Sequence, residues 1–125
     1  MKDIVDTDAA PAAVGAYSQA TTTDDLVFTA GQIPLTPEGD MLDSASVADQ
    51  TEQALQNVEA VLKEAGAGMD DVLKVTVYLD DIDDFDAMND TYAEFFASDP
   101  PARSAVGVDA LPKGVAVEIE AVAIK

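Results

Sequence analysis

One arginine stands in this chain, at position 103, beside five lysines and 25 acidic residues. A guanidinium can grip a carboxylate through two parallel hydrogen bonds, which a lysine ammonium cannot do. Arg103 follows Pro100 and Pro101, whose rings stiffen its approach, and opens a stretch of strand character. The competing reading is a structural ion pair with one of the many acids. Glu118 and Glu120 are the second feature. They share one face of the apolar stretch 115–124, where a carboxylate is costly to bury unless paired or used. A carboxylate there can hold a water and act as base and then as acid. The competing reading is a face that is simply solvated at that point. Tyr17 and Asn89 are weaker candidates, because tyrosine is more often core and asparagine more often a cap or surface residue. Gly31, before Gln32-Ile33-Pro34, lets a ligand approach the backbone closely.

The chain has no histidine and no cysteine. Ser-His-Asp and Cys-His machinery, thiolate zinc sites and disulfides are therefore excluded. Acid–base work falls to carboxylate, tyrosine, lysine, backbone or water. The net charge of −19 is spread along the chain rather than gathered in a tail. Such a surface repels itself at low ionic strength, and at about 1 M salt the Debye length of roughly 3 Å removes most of that repulsion. Adaptation to a salt-filled cytoplasm is the simplest expectation; an acid-rich partner-binding protein is the rival. The same charge disfavours nucleic acid and anionic membranes as partners. No apolar run approaches the roughly 18 residues of a membrane span, and the first residues lack a signal-peptide core, so a cytoplasmic location is expected.

The length suits one domain over residues 1–125. Short strands are expected at 2–5 and 17–20, and a better one from Asp25 in the stretch 25–35, ended by Gly31 and Pro34. A hairpin return follows at Met41-Leu42. The spacing predicts a helix over 46–65, with Ser46 as N-cap and Gly66 as the stop. A strand follows over 72–80, with Leu73, Val75, Val77 and Leu79 on one face. A second helix spans about 83–97, striped by Phe85, Met88, Tyr92, Phe95 and Phe96. Strands at 103–108 and 115–124 close the chain. This order implies an α+β fold, a mixed β-sheet with two helices packed on one face. The last strand is apolar on both faces, which predicts oligomerisation.

Taken together, the blocks "APAAVGAYSQA" (10–20), "FTAGQIPL" (28–35), "VLKVTVYLDDIDDFDAMNDTYAEFF" (72–96) and "PPARSAVGVDALPKGVAVEIEAVAI" (100–124) resemble the RidA family of reactive intermediate deaminases. The resemblance implies a chorismate-mutase-like fold and a homotrimer. Its sheets form a barrel-like core, with ligand sites in the clefts between neighbours. It implies hydrolysis of 2-aminoacrylate-type enamines and 2-imino acids to 2-keto acids and ammonia, with no cofactor and no metal. Residue by residue, Arg103 matches the arginine that grips the substrate carboxylate, and Glu118 the glutamate that activates water. Tyr17 lines the cleft, Gly31 contacts the ligand through its backbone, and Asn89 lies near the site. Many relatives have Pro where Ala16 stands, Ser or Thr where Ala30 stands, and Cys where Ala105 stands. Those departures touch substrate preference rather than reaction type.

The implied mechanism has Arg103 fixing the imino acid while water held by Glu118 attacks C2. The same carboxylate returns a proton to the leaving nitrogen. The alternative function is a non-catalytic trimeric binder or sensor of small 2-keto acids or related carboxylates. It would use the same arginine but gain nothing from a nearby anion. A chaperone or ribonuclease role is the remaining rival.

Overall fold

The computed structural model describes residues 1–125. The first helix, α1, runs Val47–Glu64, and its two ends show why it starts and stops there. The Ser46 hydroxyl accepts the Asp49 N–H at 3.1 Å, satisfying one of the free donors of the first turn. At the other end Gly66 turns left-handed (φ 91°). There the Gly66 N–H donates to Lys63 O and the Ala67 N–H to Leu62 O, a Schellman closure. Between the caps, Ala54, Leu55, Val58, Val61 and Leu62 form the buried stripe. The second helix, α2 (Phe85–Phe95), is shorter than the 83–97 expected. Its first residues form a separate 3-10 turn, Ile82–Asp84, because the Asp81 side chain accepts the Asp83 N–H and tightens the entry.

Six strands form one sheet: β1 (Asp3–Val5), β2 (Ala20–Thr22), β3 (Leu26–Thr29), β4 (Val72–Leu79), β5 (Ala102–Gly107) and β6 (Val117–Ile124). Their spatial order is β1-β2-β3-β6-β4-β5. β4 and β5 are parallel, with α2 as the crossover between them, and every other pair is antiparallel. The fold is thus the mixed-sheet α+β arrangement expected. Both helices lie on one face, where α1 and α2 share a continuous core with Val27, Val75, Val77, Leu79, Val117 and Ile119.

Three strand expectations need correction. The early extended segment pairs over 20–22, not 17–20, because the ladder with β1 and β3 begins only at Ala20. The strand from Asp25 is shorter than its Gly31 and Pro34 stops allow, pairing regularly only over Leu26–Thr29. β3 pairs Phe28 with Val122, but the next bridge joins Gln32 to Ile119, so β3's side carries one extra residue. The Thr29 hydroxyl fills the gap by accepting the Ala121 N–H at 3.0 Å. Leu73 is not on the core face. The register shifts between Val72 and Lys74, which leaves Leu73 half-exposed while Val75, Val77 and Leu79 are buried.

Buried amides hold the loops that reach the open end of the sheet. Gln19 donates to the carbonyls of Thr7 and Pro11 and accepts the Thr7 N–H. Asn57 donates to the carbonyls of Ile33 and Leu35, and Gln50 accepts the Ala116 N–H. Each is a buried polar group fully engaged, so each fixes a loop rather than destabilising the core.

Candidate active site

The residues singled out in the sequence fall into two groups. The first surrounds Glu118. The extra residue in β3 creates a bulge at Ala30-Gly31, and the Ala30 N–H donates to Gln19 O at 2.8 Å. The bulge brings Gly31 directly under the Glu118 carboxylate. A methyl group on Gly31 would overlap Glu118 Oε2 and press on Cδ at 2.8 Å. Gly31 is therefore required by close approach, not by an unusual φ. Tyr17, Ala30, Gly31, Lys113 and Glu118 line one cavity of about 680 Å³, with Val14, Ile33 and Met41 as apolar wall. Tyr17 is half-exposed, and its hydroxyl oxygen accepts the Val14 N–H at 3.4 Å.

Glu118 is partly buried. Burial, and then the charge of Glu120, push its carboxyl above the usual carboxylate range. Glu120 sits two residues along the same face and accepts a hydrogen bond from the Tyr78 hydroxyl at 3.0 Å. That bond, with burial and the two nearby carboxylates, raises Tyr78 in turn. A carboxyl that holds its proton more tightly than usual is suited to return one to a leaving nitrogen.

The second group surrounds Arg103. Its Nη1 donates to Asn89 Oδ1 at 2.7 Å. Its guanidinium carbon lies 4.6 Å from the Tyr92 ring centre and 5.3 Å from that of Phe85. Phe85, Asn89 and Tyr92 fall four and three residues apart, so α2 presents them as one stripe. Two rings and an amide hold the guanidinium without neutralising it. The remaining N–H edge keeps its full charge for an anion. Ala105, two residues on, is partly buried against the core. The Tyr92 hydroxyl is buried with no hydrogen-bond partner. Burial raises Tyr92, and the Arg103 charge opposes that.

The two groups do not meet within one chain. Arg103 pairs with Val75 and Glu118 with Tyr78. Val75 and Tyr78 are three residues apart on β4, so alternation sends them to opposite faces. Arg103 lies on the helix-covered face and Glu118 on the open one. β4 also separates their strands, adding roughly 10 Å across the sheet. A three-carbon acid cannot touch both in a single subunit. A separate depression of about 780 Å³ flanks α1 beside Thr7 and Ala9 and holds none of these residues.

The family model described as Endoribonuclease L-PSP matches residues 7–125. The chain belongs to this family, the RidA family. A RutC family protein of Pyrococcus horikoshii is 48% identical over 125 residues, covering 100% of this chain and 99% of that protein. The human RidA relative, 2-iminobutanoate/2-iminopropanoate deaminase, is 45% identical over 125 residues, covering 100% of this chain and 91% of its own length. Among solved RidA structures, Escherichia coli TdcF with bound serine superposes with a TM-score of 0.93 at 41% identity, covering 98% of both chains. Sequence reasoning assigned Phe85 and Tyr92 only to the core and did not single out Lys113. The first two were visible as the spacing around Asn89. Lys113 was visible as a lysine placed between Pro112 and Gly114.

Proposed function

We propose that this chain hydrolyses short 2-imino acids and their 2-aminoacrylate-type enamine tautomers to 2-keto acids and ammonia. It does so as a homotrimer in which Glu118 of one subunit faces Arg103 of a neighbour. The observation that carries this reading is the state of Arg103. In a chain with 25 acids its side-chain hydrogen bond goes to a neutral amide, so a full positive charge is held ready for an anion. Relatives named as deaminases of 2-iminobutanoate and 2-iminopropanoate, similar over the full chain, support the substrate class.

Arg103 and Asn89 orient the substrate carboxylate, and Gly31 leaves room for the reacting carbon beside Glu118. Water held by the Glu118 carboxylate attacks C2 and gives a carbinolamine. The proton taken from that water passes through Glu118 to the imine nitrogen. Glu118 then takes the carbinolamine hydroxyl proton and delivers it to the same nitrogen, so that the C–N bond breaks as the C=O bond forms and ammonia leaves the keto acid. Imines hydrolyse unaided, so positioning plus one acid–base group suffices. The open face supports the assembly, because Ile4, Phe28, Val106 and Ile124 are all close to half-exposed or more. No helix of the chain is long and apolar enough to cross a membrane.

The test is keto-acid release from freshly generated 2-iminopropanoate, in molar salt, with Glu118→Ala as the control. Turnover that is lost in the variant supports hydrolysis. Equal pyruvate binding by both proteins, with no turnover by either, identifies a carboxylate sensor instead. RNA cleavage at equal salt would favour the activity in the family model's description, against which the net charge of −19 argues.

A further inference from the structure

The turn between β5 and β6 carries a backbone oddity beside the Glu118 cavity. The Gly114 N–H donates to Leu111 O at 3.3 Å and closes a tight turn, with Pro112 second and Lys113 third. Lys113 is left-handed (φ 61°, ψ 16°). A third turn position with positive φ is ordinarily glycine or asparagine, because a longer side chain crowds the backbone there. A lysine in that place has a conformational cost that glycine would not have.

Its surroundings suggest what the side chain does. Of the residues lining the cavity, Lys113 and Glu118 are the charged ones. Lys113 is exposed, at the end of the cavity wall formed by the turn. The whole chain carries a net charge of −19, and Glu118 adds its own negative charge inside the cavity. An anionic substrate therefore approaches against the field. In the proposed trimer a neighbour's Arg103 meets the anion inside the site, whereas Lys113 stands exposed on the cavity wall of the Glu118 subunit, where the anion enters. A flexible ammonium is a point charge, suited to draw an anion in rather than to fix its geometry.

We propose that Lys113 is a specificity-determining residue whose ammonium draws anionic substrates into the Glu118 cavity. The inference rests on the deaminase reading for the identity of the anion. It assigns Lys113 to capture and leaves orientation to Arg103.

The experiment uses the full-length chain and its Lys113→Gly and Lys113→Arg variants. Turnover of 2-iminopropanoate and binding of pyruvate are measured from the lowest salt at which each protein stays folded up to molar salt. Lys113→Gly should melt at or above the temperature of the unaltered chain, because glycine relieves the left-handed backbone. Its kcat/KM should nevertheless fall about tenfold at the low-salt end, mainly through KM, and recover to within about twofold near 1 M salt as screening removes the field. Pyruvate affinity should follow the same course, and Lys113→Arg should restore both. A Lys113→Gly protein that keeps its low-salt kcat/KM and pyruvate affinity overturns the proposal. So does a loss that is independent of salt, or one accompanied by a lower melting temperature. An unaltered chain that binds pyruvate with this salt dependence but turns over no imine overturns the deaminase reading alone. An unaltered chain that shows neither pyruvate binding nor imine turnover at any salt overturns both.

Discussion

On the helix-covered face of the sheet, Val27, Val75, Val77, Leu79, Val117 and Ile119 are essentially inaccessible to water, closed off by α1 and α2. On the opposite face Ile4, Phe28, Val106 and Ile124 stand in the open, interspersed with Tyr78, Glu118 and Glu120. The first face is a finished core. The second has the apolar content of a core without a cover, and it carries Glu118, the acid of the proposed reaction. In the proposed site each face supplies one half. The Arg103 half is pre-formed, with the guanidinium fixed by two rings and an amide. The Glu118 half is shaped by backbone, through the β3 bulge and the bare Gly31. On the proposed function, splitting the site this way would make hydrolysis conditional on assembly, because neither half alone could both hold and hydrolyse a substrate.

Substitutions that remove one half should have the largest effect. Arg103→Lys keeps the charge but loses the fork and the stacking. We expect kcat/KM for 2-iminopropanoate to fall by about 100-fold or more, while the melting temperature changes little. Glu118→Gln should lose activity on the same scale. Its stability should change with pH in a definite sense. The folded state raises the Glu118 pKa, so its neutral form is favoured on folding. That stability is present below the ordinary carboxylate pKa and is lost as pH rises through the raised value. Glu118→Gln should therefore match the parent in acid and be the more stable protein at neutral pH, as thermal melts across pH will show.

The two faces should also respond differently to damage. Phe28→Asp places a charge on the open face, and we expect dissociation to smaller species with loss of turnover, read by mass measurement in molar salt. Leu55→Ala in the core should lower stability by about 2–5 kcal/mol. It should leave the activity of the folded fraction and the oligomeric state unchanged. If Phe28→Asp stays assembled, the open face is not the subunit contact. Gly31→Ala is a smaller, more local change. The Glu118 carboxylate can swing away from an added methyl, so the stability cost should be slight, yet kcat should fall by roughly tenfold as the acid leaves its place. The smallest effect belongs to Tyr92→Phe. Its hydroxyl is buried and unpartnered, so removal should be neutral or stabilising, with kcat/KM within about twofold of the parent.

Much of the fold could be read from the sequence because its signals are local. The three- and four-residue spacing, Ser46 and Gly66 gave α1 almost to the residue, and alternation gave β4 and β6. The bulges at Ala30-Gly31 and at Val72–Lys74 could not be read, since a bulge is a relation to a partner strand far away in the chain. The same limit applies to the site. Arg103 stands out by composition alone, as the one guanidinium; Glu118 and Glu120 stand out together as acids in an apolar strand, and only the family resemblance singles out Glu118. Which face each occupies depends on the register of β4 with both neighbours, and no local signal carries that. Lys113 was overlooked for a different reason. Pro-Lys-Gly reads as ordinary turn material until the backbone shows the lysine in the place of a glycine.

The central claim is that the site is shared between subunits, and mixing two inactive variants tests it directly. Arg103→Lys and Glu118→Ala chains, each inactive alone, are co-expressed and the mixed assemblies isolated. In a closed ring of three, each mixed assembly pairs an intact arginine with an intact glutamate at one interface, about a third of them. Recovery of roughly that fraction of the parent's activity per site is expected. Mixed assemblies as inactive as the separate variants would contradict a shared site.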